Sequence, residues 1–245
     1  IYDLLVDRFF NGAGMNDEEV NTKDPNAFNG GDFQGLISKK AFIEKMGYTI
    51  VSIGSVFETD KYDGSIPTSY KNLEPHFGTS EELINVISTY EKSAMKIMVD
   101  FPLSNVSVNH EWFANGQNRD WIASEQSGIV TLNLKNTNVQ NALKESLKSF
   151  VNLYDVSIRL TNIEEAETEF VNELIKVVKD QRQQAYVIAN QASDASFDAL
   201  YDDAMVETQR NIFKTVDQDS SNIVKHAATI PPTQVLIDSP WTDRF

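Results

Sequence analysis

The sequence predicts an α/β protein, a (β/α)8 barrel of the TIM type built on parallel strands. Three observations point there. Short β-branched runs alternate with amphipathic helical stretches along almost the whole chain. The alternation repeats often enough to favour a closed barrel over an open sheet. The chain has 245 residues and 41% hydrophobic content, enough for one such domain with a sizeable core.

The elements follow in order. Residues 1–10, Ile-Tyr-Asp-Leu-Leu-Val and then Asp7-Arg-Phe-Phe, read as the first strand. A loop rich in Asn, Asp and Gly covers 11–32. Residues 33–46 carry helical apolar spacing at Leu36, Ile37, Phe42, Ile43 and Met46, and Gly47 ends that helix as a C-cap. Residues 49–57 form the second strand and 58–78 a loop. Thr79-Ser-Glu-Glu82 has the form of a capping box opening a helix that runs to Tyr90. Residues 96–101 are the third strand. Residues 102–137 make a long polar loop, an excursion of the barrel domain 1–245, and contain Trp112 and Trp121. Residues 138–153 form an amphipathic helix with Val139, Leu143, Leu147, Phe150 and Val151 on one side. Residues 156–160 are the fourth strand, 167–179 a helix and 185–189 the fifth strand. A short sixth strand is expected at 199–204, a helix from there to Phe213, and a seventh strand at 235–238. No eighth strand is read, so the barrel is expected to be covered from strand 1 to strand 7, with the eighth unit absent from the chain.

Composition narrows the function. The formal charge of −15, with no concentrated basic face, argues against a nucleic-acid partner. There is no cysteine, which removes disulfides, thiolate metal sites and cysteine nucleophiles. No apolar run approaches the roughly 20 residues that cross a bilayer. An extracellular or bacterial cell-surface location is expected, although a chain without cysteine suits the cytosol equally. The three histidines, His76, His110 and His226, share no metal-ligand spacing.

Several motifs occur in a telling order. They are Gly30-Gly-Asp-Phe-Gln-Gly-Leu36, Tyr62-Asp-Gly-Ser-Ile-Pro-Thr-Ser-Tyr70, Leu73-Glu-Pro-His-Phe-Gly-Thr79, Met98-Val-Asp-Phe101, Thr131-Leu-Asn-Leu134 and Ser157-Ile-Arg-Leu-Thr161. Together they resemble the α-amylase family, glycoside hydrolase family 13-like, over nearly the whole chain. That resemblance implies a catalytic barrel in which one carboxylate attacks the anomeric carbon and a carboxylic acid protonates the leaving oxygen. A third carboxylate grips the sugar hydroxyls.

Carried over residue by residue, the three acid positions fall on Thr161, Asn190 and Trp241. None is a carboxylic acid, and neither Thr nor Asn can serve as one with a tuned pKa. The family's stacking tyrosine becomes Ser65, its neighbouring aspartate Ile66, and two histidines Asn105 and Pro240. Asp100 and Arg159 are retained and are expected to pair at the ends of adjacent strands. Tyr62, Asn105, Arg159 and Trp241 are the positions that would meet a substrate.

The resemblance thus implies a catalytically inactive, pseudo-glycosidase domain that binds or scaffolds, with a carbohydrate such as an α-glucan or a protein as partner. Its rival is an active α-glucan hydrolase or transglycosylase whose carboxylates have relocated to Glu164, Glu165 or Asp238. A calcium loop is also implied. Asn11, Asn16, Asp17, the Gly30 carbonyl and Asp32 match a family set of hard oxygen donors, with Ala13 in place of one of them. The alternative for that loop is a polar turn closed by Asx hydrogen bonds. Trp112 and Trp121 either stack on a sugar or a partner, or pin their loop to the barrel.

Overall fold

In the computed structural model, which describes residues 1–190 and 193–200, six parallel strands lie in the order β1-β2-β3-β7-β8-β9. They are β1 (Tyr2–Asp3), β2 (Ile50–Ser52), β3 (Lys96–Pro102), β7 (Ser157–Thr161), β8 (Val187–Ala189) and β9 (Ala199–Leu200). The helices α2 (Phe33–Lys45), α3 (Ser80–Glu91), α4 (Thr137–Leu153) and α5 (Thr168–Gln181) are the crossovers between them. A second sheet, antiparallel, contains β4 (Asn105–Ser107), β5 (Ile122–Gln126) and β6 (Ile129–Leu132) in the order β4-β6-β5. The expected seventh strand and most of the sixth lie outside the described residues.

The parallel sheet curls. In a flat sheet, strands three places apart would be separated by roughly 14 Å. Yet Arg159 on β7 reaches Asp3 on β1 at 2.7 Å, three strands away. The side chains on the two faces of β7 are sorted accordingly. Ile158 and Leu160 are fully buried toward the helices, in one core with Leu143 and Leu147 of α4 and Leu174 and Val178 of α5. Ser157, Arg159 and Thr161 point the other way, by strand alternation. On that inner side Met98, Ile188 and Ala199 form a separate small cluster with Ile1 and Ile50.

Local chemistry explains most boundaries. Thr79 accepts from the Glu82 N–H while the Glu82 carboxylate accepts from the Thr79 N–H, so the capping box is formed as expected. α4 and α5 have the anticipated apolar stripes, and their limits shift by one or two residues from the expected ones.

Three elements differ from expectation. The first strand is only Tyr2–Asp3, and Val6–Phe9 turns into a helical segment, α1. The buried Asp7 carboxylate draws that turn inward by accepting from the N–H groups of Asn29 and Gly30. The second strand is interrupted after Ser52, where Gly54 takes φ 73°. The excursion after the third strand holds β4, β5 and β6 where an irregular polar loop was expected. β5 and β6 are joined by a hairpin whose Ser127 and Gly128 both have positive φ, 54° and 83°. Without an Asn-Gly or Asp-Gly pair, the usual hairpin signal was missing there.

Candidate functional site

The retained pair lies on the inner face of the curled sheet. β3 and β7 pair in register, with Asp100 opposite Arg159. Arg159 Nε donates to Asp100 Oδ1 at 2.7 Å and its NH2 group to Oδ2 at 2.8 Å, a two-pronged contact. Its NH1 group donates to Asp3. One guanidinium thus ties three strands together, β1, β3 and β7. The expected Asp100–Arg159 ion pair is present, and Asp3 is a member that the sequence reading missed. Its signal was there: a lone acid inside the apolar run Ile-Tyr-Asp-Leu-Leu-Val.

One step toward the C-terminal ends stands Thr161, the last residue of β7, half-buried and opposite Pro102. Its carbonyl accepts from the Leu103 N–H at 3.0 Å. The pairing of Leu160 with Ala189, continued by one residue, brings Asn190 beside it at the exposed end of β8. By that register the two positions fall at the ends of adjacent strands. Trp241, with Asp238 and Pro240, lies outside the described residues. Glu164 and Glu165 are exposed in the turn that follows Asn162 and Ile163.

The other expected contact residues are already engaged. The Arg8 guanidinium lies 3.8 Å from the centre of the Tyr62 ring, a cation–π contact covering one face. Arg8 is itself held by the Asp7 carboxylate and the Pro25 carbonyl. Burial pushes the Asp7 carboxyl up, against the opposing pull of its backbone bonds and of Arg8. Asn105 opens β4, where its side-chain oxygen accepts from Thr131. Ser65 donates to Asp63, and Ile66 is buried.

Trp112 and Trp121 stand edge-on, 5.4 Å apart, and Trp112 leans on Tyr70 and His110. Both rings pack against the main core, so they pin the excursion to the barrel. His110 is 1% exposed, accepts from the Trp112 N–H through Nδ1, and lies among Tyr70, Trp112 and Phe113. Burial, with a smaller push from the Lys71 charge, brings its pKa down to about 3.

The five proposed calcium positions divide. Asn11 donates to both Asp17 oxygens, at 2.8 and 2.9 Å. A Cβ added to Gly30 would stand 2.7 Å from each of these two side chains, so the three positions converge. Asn16 instead donates to the His76 carbonyl. Asp32 accepts from the N–H groups of Gly12, Ala13 and Gly35, capping α2 and bracing the loop. Among the described residues no three His, Cys, Asp or Glu side chains gather as metal ligands. An ion held by the Asn11 amide oxygen, Asp17 and the Gly30 carbonyl, a donor chemistry that suits calcium, would need the Asn11 amide turned, because its NH2 group faces Asp17.

A curled parallel sheet with crossover helices, carrying polar side chains toward its strand ends, is part of a (β/α) barrel. The family model for the α-amylase catalytic domain matches residues 3–128, and the chain belongs to the α-amylase family. A cyclomaltodextrinase of Thermoanaerobacter pseudethanolicus is 25% identical over 233 residues, 80% of this chain and 40% of that protein. An oligo-1,6-glucosidase of a Bacillus species is 30% identical over 95 residues, 38% of this chain and 19% of that enzyme. Among solved structures, an Anoxybacillus α-amylase superposes with TM-score 0.86 at 27% identity, over 93% of this chain and 57% of that one. The chain thus spans well under two thirds of the relatives it matches.

Proposed function

We propose that this domain binds or scaffolds without cleaving, with an α-glucan or a protein partner as its ligand. One observation carries the reading: Thr161 and Asn190, side by side at the strand ends, hold no ionisable group where the resemblance calls for nucleophile and acid. Glycosidic cleavage by a retaining route needs two carboxyl groups about 5–5.5 Å apart. Asp100 does not substitute for either, because both of its oxygens are held by Arg159.

The names of the relatives favour a second reading, an active hydrolase or transglycosylase with relocated carboxylates. Glu164 and Glu165 are the nearest such groups along the chain after Thr161. A reducing-sugar assay on starch, pullulan and maltodextrin, with calcium present, separates the two. No turnover is expected. Turnover abolished by Glu164→Gln or Glu165→Gln would overturn the binding reading. Saturable heat on titration with maltooligosaccharides, without turnover, would identify the ligand as carbohydrate. Silence in both assays points to the protein partner.

The 11–32 loop is proposed as a structural calcium site centred on Asn11, Asp17 and Gly30. A rise in melting temperature with calcium chloride, absent in Asp17→Asn and absent with magnesium, is the expected result.

A further inference from the structure

The chain contains three Asn-Gly steps, Asn11-Gly12, Asn29-Gly30 and Asn115-Gly116. Each is a place where the glycine nitrogen can attack the asparagine side-chain carbonyl carbon. The new N–C bond closes a succinimide and expels ammonia. Water then opens the ring at either carbonyl, leaving aspartate or isoaspartate. Glycine favours the attack because no Cβ hinders its nitrogen. The sequence treats the three steps alike; the structure does not.

At the first step the nucleophile is held. The Gly12 N–H donates to both Asp32 oxygens, at 3.0 and 3.2 Å, and the Asn11 amide is fixed on Asp17. Gly12 is also wedged, since a Cβ there would come within 2.3 Å of the Gly35 nitrogen. At the second step Gly30 is buried and its N–H donates to Asp7. A carboxylate accepting from an amide N–H opposes loss of that proton, which the attack requires. The Asn11 side chain must also leave Asp17, and the half-buried Asn29 side chain must leave its loop, before either can reach the nitrogen.

The third step has none of these restraints. Asn115 and Gly116 are exposed at the surface of the excursion. Among the described residues the Asn115 side chain has no hydrogen-bond partner, and a Cβ at Gly116 would meet nothing within 4 Å. Both residues have positive φ, 56° and 74°, in a turn between the buried anchor Phe113 and the Trp121 pin. We propose that Asn115-Gly116 is a site of spontaneous deamidation and isoaspartate formation in the folded protein, and that the other two steps are protected by the fold.

The test is peptide mapping by mass spectrometry after warm incubation of the intact protein at mildly alkaline pH, native and in urea. In the native protein the peptide bearing Asn115 should convert at least about tenfold faster than the other two, which react only after local opening. It should split into two chromatographic species of equal mass. In urea the three should converge. Gly116→Ala should slow the native conversion severalfold and lower the melting temperature modestly, because a side chain at φ 74° is strained. Asn115→Gln, which keeps that glycine, should abolish the conversion with the melting temperature unchanged. Equal native rates at all three steps, or faster conversion at Asn11 or Asn29, would overturn the assignment. So would an Asn115 that stays intact while the urea sample converts.

Discussion

Two neighbouring layers of the same strand behave in opposite ways. At Arg159 the inner face of the sheet is charged and tightly paired, with Asp3 and Asp100 on either side. Two residues on, at Thr161, the same face is neutral, and so is Asn190 beside it. The lower layer is a tie among three strands, and its residues answer to the geometry of the sheet. The upper layer, in an active member of such a family, answers only to chemistry. The match to the family model likewise ends at residue 128, ahead of both layers on β7, while the structural likeness extends over 93% of the chain. Packing preserves a frame through residues that have no part in a reaction, because every strand needs its neighbours.

Removing the tie should have the largest effect. Arg159→Met leaves two carboxylates facing each other on the inner face, and should cost about 3 kcal/mol or more in urea denaturation. Thr161→Val, one layer up, should change stability by less than about 1 kcal/mol. If the two variants cost the same, the contrast between the layers is lost.

Asp32→Ala comes next. It removes the cap of α2 and the brace on Gly12 and Ala13, and a loss of about 2 kcal/mol is expected by the same measurement. Loss of the calcium-dependent rise in melting temperature in this variant would give Asp32 a direct part in holding the ion.

His110 sharpens the comparison by pH. Its folded pKa, about 3, lies below the ordinary histidine value, so the unfolded chain binds the extra proton first. The stability this group contributes is complete above pH about 6.5. It is lost as pH falls toward about 3, with a slope of up to about 1.4 kcal/mol per pH unit. Denaturation curves across that window should show the slope, and His110→Phe should flatten it. An unchanged slope would mean that other groups set the acid limit.

The smallest effect concerns the end of α3. Ala94 sits at φ 55°, a conformation that glycine adopts without strain. Ala94→Gly should raise stability by up to about 1 kcal/mol, read as a shift in the urea midpoint.

The Asp100–Arg159 pairing was expected only through the family resemblance. The sequence alone determined the alternation of strands and helices, the capping box at Thr79 and Glu82 and the lack of carboxyl groups at 161 and 190. Each of these is written in residue type and local period, which a chain carries whether folded or not. Tertiary structure decided the rest. Asp3 joins Arg159 only because the sheet curls, across 156 positions of sequence. Arg8 covers Tyr62 because segments far apart in the chain meet, and Asp32 is committed to three backbone amides because the 11–32 loop folds back on its own start. The hairpin of β5 and β6 turns at Ser127-Gly128 and is anchored through Val130 and Leu132 of β6, which reach the core from a stretch distant from it in sequence. A contact between distant residues depends on where the whole backbone goes, and no window of neighbouring residues contains that information.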